Sequence, residues 1–363
     1  MKRWSWETAW LVAGVFSWII APWVFALINT NDVVQVLRET PRETWFYTYL
    51  FGAMWGMGGL TFGLTMRYLG MSLGMAVALG YCTVFGTLIP PVFKGEFHAK
   101  LIESESGRWV LAGLVVCVVG IVINALAGKA KEAEMNQEQK RKTVKEFNFK
   151  KGILVATFSG IMSAGMAFGF TAGDPISEIS RQYGTDPLWS GLPVLIVVLL
   201  GGFTSNFIWC LILNIKNRSG YEYLASTQRH AAHLKDDTVL ENVTDAPAFE
   251  LTESPVSKCD DNKSRRIPLV FNYLFAAAAG VTWYFQFFFY SMGESQMGDY
   301  KFSSWTLHMA SIILFSSIWG LALGEWKGAS AKSKGRLFIG LGVLVLSTII
   351  IGYGNYISGQ SGH

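Results

Sequence analysis

The stretch Trp189-Ser-Gly-Leu-Pro-Val-Leu-Ile-Val-Val-Leu-Leu-Gly-Gly-Phe-Thr-Ser-Asn-Phe-Ile-Trp-Cys-Leu-Ile-Leu213 runs for twenty-five residues without a charge. As a helix rising about 1.5 Å per residue it is longer than the ~30 Å hydrocarbon core of a bilayer. Eight further blocks of this kind are read at 8–28, 45–68, 71–93, 109–127, 152–172, 268–290, 303–323 and 337–356. In lipid every backbone polar group must be satisfied inside the protein, so runs of this length are predicted to be helices. Composition points the same way. The 363 residues are 51% hydrophobic and 15% charged, against roughly 25% charged in an ordinary soluble chain, and mean hydropathy is +0.32. A soluble enzyme, a disordered regulator and a nucleic-acid binder all fit this poorly. The predicted fold class is an all-α polytopic membrane protein, a helical bundle of nine transmembrane helices.

Lys and Arg placement orients the bundle. The N-terminus and the connections after spans 2, 4, 6 and 8 hold 23 of the 30, and the opposite side holds 7. This predicts a cytoplasmic residue 1 and an extracytoplasmic C-terminus. The charged, Gln-rich stretch 129–151 reads as a cytoplasmic linker between a first half, 1–128, with four helices, and a second half, 152–363, with five. Within the second half, 216–266 reads as a flexible cytoplasmic loop with few aromatic residues. The opening Met1-Lys2-Arg3 precedes a block too long and too Trp-rich for a cleavable signal. Cys82, Cys117 and Cys210 lie in apolar blocks and Cys259 in the loop, with no C-x-x-C spacing for metal or redox work. Span 2 carries Gly52, Gly56, Gly59 and Gly63 at spacings that share one helix face, and Gly70, Gly74, Gly165 and Gly169 repeat the four-residue interval. Such faces admit close helix packing, either as fixed contacts or as sliding surfaces.

Several strings carry a resemblance: Lys2-Arg-Trp-Ser-Trp-Glu-Thr-Ala-Trp10, Phe51-Gly-Ala-Met-Trp-Gly56, Gly63-Leu-Thr-Met-Arg-Tyr-Leu-Gly-Met-Ser72, Glu146-Phe-Asn-Phe-Lys-Lys-Gly152, Trp283-Tyr-Phe-Gln-Phe-Phe-Phe-Tyr290, Ser304-Trp-Thr-Leu-His-Met309 and Glu325-Trp326. With them the chain resembles the L-rhamnose–proton symporter family of the drug/metabolite transporter superfamily. The resemblance implies a bacterial inner-membrane permease that takes up L-rhamnose with protons, built as ten helices in two inverted halves. It implies no cofactor beyond the proton gradient, and as partners the sugar, protons and the lipid bilayer, with no nucleic acid. The chain opens where the family's second helix would begin, so the first span is expected upstream; the four-plus-five division suggests the same gap. The 216–266 loop looks longer than the family's.

A symporter needs hydrogen-bonding groups for a polyol, flat apolar surface for its C–H faces and a protonatable group. Ionisable and amide side chains inside spans are costly and are therefore candidates. Thr282, Trp283, Gln286 and Tyr290 are read as one face of span 7, a sugar-facing wall or an aromatic packing face. His308, near the external start of span 8 with Ser304 and Ser311 around it, is the candidate for proton coupling, since the unperturbed imidazole titrates near pH ~6.5. Its alternative is a neutral imidazole bonded to a neighbour. Glu7, Arg67 and Glu325 all fall at cytoplasmic helix ends, as a gate or as interfacial residues reaching water. Asp174, Glu178 and Asp186, in the external connection after span 5, are expected to be solvated, as is His98. Asn124 and Asn206 have no evident partner. No metal-ligand cluster, H-E-x-x-H, G-x-S-x-G or phosphate loop stands in a plausible context, which argues against a membrane-embedded enzyme; no filter motif argues for a channel. A transporter of another small metabolite remains the alternative. A reporter that works only outside the membrane, fused after His363, is expected to be active; silence there with activity in the 216–266 loop would reverse the orientation.

Overall fold

The computed structural model describes residues 4–134, 148–224 and 268–361. Among these every regular element is helical. The first predicted span is α1 (Trp6–Val15) and α2 (Ala21–Asn29), joined by the π turn Phe16–Ile20. A short helix α3 (Val33–Glu39) leads into α4 (Arg42–Leu69), followed by α5 (Met71–Phe93) and, after a second π turn at His98–Glu103, α6 (Glu105–Glu134). Beyond 135–147 come α7 (Phe149–Ser163), α8 (Gly165–Ala172), α9 (Asp174–Gln182) and α10 (Leu192–Lys216). After a 3-10 turn at Gly220–Tyr223, and beyond 225–267, α11 (Leu269–Ser295), the 3-10 turn Gly298–Ser303, α12 (Ser304–Ala322) and α13 (Ala331–Ser361) complete the chain. Most of the 129–151 linker and of the 216–266 loop, with Cys259, lies outside the described residues.

Seven helical segments among the described residues are long and apolar enough to cross a bilayer. The predicted nine is not reached on that measure. The second and seventh predicted spans correspond to α4 and α11, helices of 28 and 27 residues whose Gly, Trp, Tyr and amide side chains lower their apolarity. Leu154, Phe271, Phe275 and Ile349 are exposed on the outside of the bundle, the arrangement a lipid surround requires.

Packing is glycine-mediated, as Lys-poor, leucine-like surfaces in lipid have little other reason to associate. A Cβ on Gly52 would collide with the Val198 carbonyl, and one on Gly201 with that of Tyr49, so α4 and α10 touch backbone to backbone. Gly56 meets Gly202 and Ser205, and Gly165 meets the α4 backbone at Phe51 and Trp55. Of the four glycines read as one face, Gly59 departs: nothing approaches it within 4 Å. The contact with α10 ends a turn earlier, and the neighbouring Gly58 instead seats Ser163. Along α6, Gly113 and Gly120 receive Ile351 and Leu344 of α13, while Gly340 and Gly354 receive Asn124 and Trp109 in return. Asn148 caps α7 through the Lys151 N–H (3.1 Å), and its own N–H donates to the Tyr68 carbonyl (3.1 Å), which ties the second half to the end of α4.

The two helices absent from the sequence reading, α3 and α9, lie together at one end of the bundle. Tyr183 donates to Glu39 (2.6 Å), and this bond with that from Gln35 holds the Glu39 carboxyl below the usual carboxylate range. Gly52→Val is expected to lower the thermal midpoint in detergent, since overpacking costs about 1–3 kcal/mol, whereas Gly59→Val leaves it near the parent value. Equal midpoints for the two variants would refute the α4–α10 contact as described.

Candidate functional site

Helical rotation of about 100° per residue places Trp283, Phe287, Tyr290 and Glu294 within ~60° of one another on α11. This face turns inward. The Trp283 ring packs against Trp18 (5.5 Å between centroids), Trp55 (5.7 Å) and Phe287 (5.4 Å). Trp18 sits in the first π turn and is buried; π turns recur at functional positions because they re-aim one side chain. Its indole N–H finds no partner among the described residues. Trp10, one level below, stacks edge-on with Trp18 (5.8 Å) and donates to Asn206 (3.0 Å). Asn206 thus has a partner that sequence could not name, and its amide also donates to the Gly202 carbonyl (2.9 Å).

Above this aromatic column His308 is enclosed by rings of Tyr290 (4.8 Å), Trp305 (5.4 Å) and Phe287 (5.9 Å), and it makes no hydrogen bond among the described residues. Tyr290 and Ser304 share a hydroxyl–hydroxyl bond (2.8 Å). Trp305 donates to the Cys82 carbonyl (3.1 Å), its indole lying where a side chain on Gly86 would be. Thr87 and Thr306 share a further bond (2.7 Å). Together these fix α12 on α5.

Tyr290, Trp305, Phe170 and Gly86 line the inner part of a cavity of about 370 Å³, within the usual range of roughly 300–1,000 Å³ for small-molecule sites. Its outer part is charged. Asp174, expected to be solvated, instead receives Lys94 (2.7 Å) and Lys301 (3.5 Å); its partners lie 80 and 127 positions away in sequence, beyond any local spacing rule. Glu178 pairs with Arg181 and Glu96 with Lys100. Asp186 caps the Leu188 N–H, and His98 forms a surface pair with Glu103. Glu294 also lines the cavity and is buried. Sequence reading ended that span at Tyr290; the i, i+4 step from Tyr290 to Glu294 was the available signal.

The structure brings Trp283, Tyr290 and His308 together. Gln286 lies on the same helix, half-buried and without a hydrogen bond among the described residues. Thr282 is exposed: one residue before Trp283 means about 100° of rotation, which takes it off the inward face. The gate candidates lie at three helix ends, opposite the cavity. Glu7 is buried and accepts from Asn217 (3.0 Å) and Ser219 (2.7 Å) beside the end of α10. Arg67 is buried in the last turn of α4, and Glu325 lies in the turn after α12, its N–H bonded to the Gly320 carbonyl (2.9 Å). Asn214 extends the polar closure at this end: it accepts from Ser219 (3.0 Å) and donates to Tyr223 (3.0 Å). Asn124 donates to Gly120. No group of three or more His, Cys, Asp or Glu among the described residues is arranged to hold a metal.

A bundle of apolar helices with an aromatic-walled cavity, charged at its mouth, and a side-chain hydrogen-bond network at the far end, is the architecture of a multi-pass membrane transporter. The comparisons narrow it. The family described as L-rhamnose-proton symport protein matches residues 1–222 and 254–357. An L-rhamnose-proton symporter of Citrobacter koseri is 36% identical over 357 residues, 98% of this chain and 91% of that relative. Those of Mannheimia succiniciproducens and Salmonella gallinarum are 36% identical over 355 residues, with the same coverage. The chain belongs to the L-rhamnose–proton symporter family, a family of transporters and not of enzymes. Gly86→Val would drive Trp305 from its seat against the Cys82 carbonyl and fill the cavity floor. Uptake of the family's sugar is expected to fall at least about tenfold, the effect of ~1.4 kcal/mol, at normal membrane abundance; unchanged uptake would separate the cavity from the transport path.

Proposed function

We propose that the protein takes up L-rhamnose together with protons across the bacterial inner membrane, with the proton gradient as its only energy source and no cofactor. The observation that carries this reading is the cavity, whose inner wall of Tyr290 and Trp305 meets His308, in a chain matched to this family along almost its whole length. A 6-deoxy sugar presents a methyl group and C–H faces, which aromatic rings cover well, and hydroxyls that need donors and acceptors. Trp283 and Tyr290 supply the flat surfaces. Gln286, with a free amide, supplies both a donor and an acceptor, and the unpartnered Trp18 N–H is a further donor at the base of the column.

In this reading α4 and α11 complete nine spans, residue 1 and the 129–151 linker and 216–266 loop face the cytoplasm, and the C-terminus is periplasmic. The halves 1–128 and 152–363 move against one another, and the interlocked end that holds Glu7, Arg67 and Glu325 is the cytoplasmic gate. The cavity is then open to the periplasm, poised to receive sugar.

His308 is the proton-linked group. A proton crossing the full field gains about 2.3 kcal/mol per 100 mV, or roughly 40-fold in accumulation. His308→Gln is expected to keep sugar exchange measurable while abolishing sugar-driven alkalinisation of the medium and uphill accumulation. Normal alkalinisation in that variant, at normal expression, would exclude His308. Labelled rhamnose uptake without alkalinisation in the parent would keep the sugar and remove the proton; no uptake of rhamnose would transfer the reading to another metabolite.

A further inference from the structure

The charged mouth of the cavity has a pairing pattern that leaves one member out. Four cations face it. Lys94 at the end of α5 and Lys301 in the 3-10 turn before α12 both bind Asp174. Arg181 of α9 binds Glu178, and Lys100 of the second π turn binds Glu96 (3.1 Å). Three carboxylates therefore occupy all four cations. The fourth carboxylate lining the same cavity is Glu294 of α11, which has neither an ion pair nor a hydrogen bond among the described residues.

Glu294 is also the most enclosed of the four, with 9% of its surface exposed, while the side chains of Glu178 and Glu96 are 62% and 40% exposed and that of Asp174 31%. A carboxylate withdrawn from water without a partner is held at a cost that neutralisation removes. The paired, more open neighbours carry no such cost. Position gives this a direction. Glu294 lies one turn beyond Tyr290 on the inward face of α11, between the outer solution and the ring cluster around His308.

Resting on the reading of the protein as a proton-coupled symporter, we propose that Glu294 is the entry station for the coupling proton. Its carboxylate takes a proton from the outer solution and becomes a neutral carboxylic acid. When that proton passes inward to the His308 imidazole the carboxylate is regenerated, so each cycle begins with the same charge at the mouth. Tyr290, which touches the His308 ring and precedes Glu294 by one turn, lies along this path and keeps bulk water from bypassing it. Asp174, Lys94 and Lys301 form a neighbouring ion-paired cluster.

The test uses the full chain in cells, comparing the parent with Glu294→Gln and Glu294→Asp for labelled-rhamnose exchange, uphill accumulation and sugar-driven alkalinisation across a range of external pH. In E294Q, exchange is expected to persist and to lose its dependence on external pH, while accumulation, about 40-fold per 100 mV when one proton is coupled, falls to simple equilibration. E294D, which restores a titratable carboxyl, is expected to recover accumulation and a pH dependence displaced from that of the parent. Parent-like accumulation and pH profile in E294Q would overturn the proposal. So would loss of exchange in both variants at normal membrane abundance, which would make Glu294 a sugar-binding or structural residue. Should E294Q fail to reach the membrane, an E294D profile identical to the parent's would overturn it. A parent that moves rhamnose without alkalinisation would instead sink the proton-coupled reading itself.

Discussion

The close crossing of α4 on α10 is the contact on which the rest of the interior depends. Gly52, Gly56, Gly201 and Gly202 let two backbones meet without intervening side chains. In a bilayer, where lipid tails compete equally for apolar surface, such van der Waals contact is one of the few forces that hold helices together. The crossing also builds the site. The Trp55 indole lies against Gly202, in the space a side chain there would take, and from that seat it packs against Trp18, Trp283 and Phe287. Four tryptophan and phenylalanine rings from three separate regions of the chain are thereby brought into one column. Gly165, seated on the α4 backbone, brings α8 and its Phe170 into the same assembly, where Phe170 packs edge-on against Tyr290 (5.1 Å).

Apolar length alone marks seven of the predicted spans among the described residues, because a long apolar run has one stable conformation in lipid, while α4 and α11, diluted by Gly, Trp and Tyr, fall below that measure. What sequence handled poorly was rotation and pairing. Thr282 and Trp283 are adjacent in sequence, yet one is exposed and the other packs in the core, since a single residue turns the helix by about 100°. Gly59 satisfies the same spacing rule as Gly56 but has no neighbour, because spacing describes one helix and contact needs two. Asp174 reads as a solvated loop residue until α5 and the turn before α12 bring Lys94 and Lys301 to it. Glu294 was missed for a different reason. The apolar run ends at Tyr290, but α11 continues for five residues to the mouth of the cavity, and Glu294 lies in that extension. The short helices α3 and α9 were missed because neither is long enough or apolar enough to register against the spans around it.

Polar groups inside the bundle divide into those that fasten and those that remain available. Trp10 with Asn206, Trp305 with Cys82, Tyr290 with Ser304 and Thr87 with Thr306 are closed pairs. Each satisfies a group that would be expensive to bury alone, and each locks a ring or a helix in place. Gln286, the Trp18 N–H and Glu294 are different, since each has bonding capacity that the described protein leaves unused. A rigid frame of satisfied groups surrounding a few unsatisfied ones is what a polyol-binding site requires. Under the proposed function the frame sets geometry, Gln286 and the Trp18 N–H exchange water for sugar hydroxyls, and Glu294 takes the proton, so that binding is reversible enough for release on the other side.

The two ends of the bundle are fastened by different chemistry, and under the proposed function this bears on which end rearranges more readily. At the Glu7 end the fastening is buried: Glu7, Asn214 and Ser219 interlock, Trp4 donates to the Glu222 carbonyl (3.0 Å), and the Glu222 carboxylate takes the Ser5 N–H (2.7 Å). Removing one partner from such a network strands the others without water, so it opens only if something else satisfies them. At the Asp174 end the fastening is a set of partly exposed ion pairs. Pairs of that kind are individually worth about 0–1 kcal/mol, because water replaces a lost partner at once. In the proposed cycle the mouth therefore rearranges around an arriving solute at small cost, while the buried end waits for a change in the interior. Neutralising a charge at the mouth and filling the cavity alter the interior in the same step. That coincidence of charge and occupancy is the physical condition for coupling the movement of a neutral sugar to that of a proton.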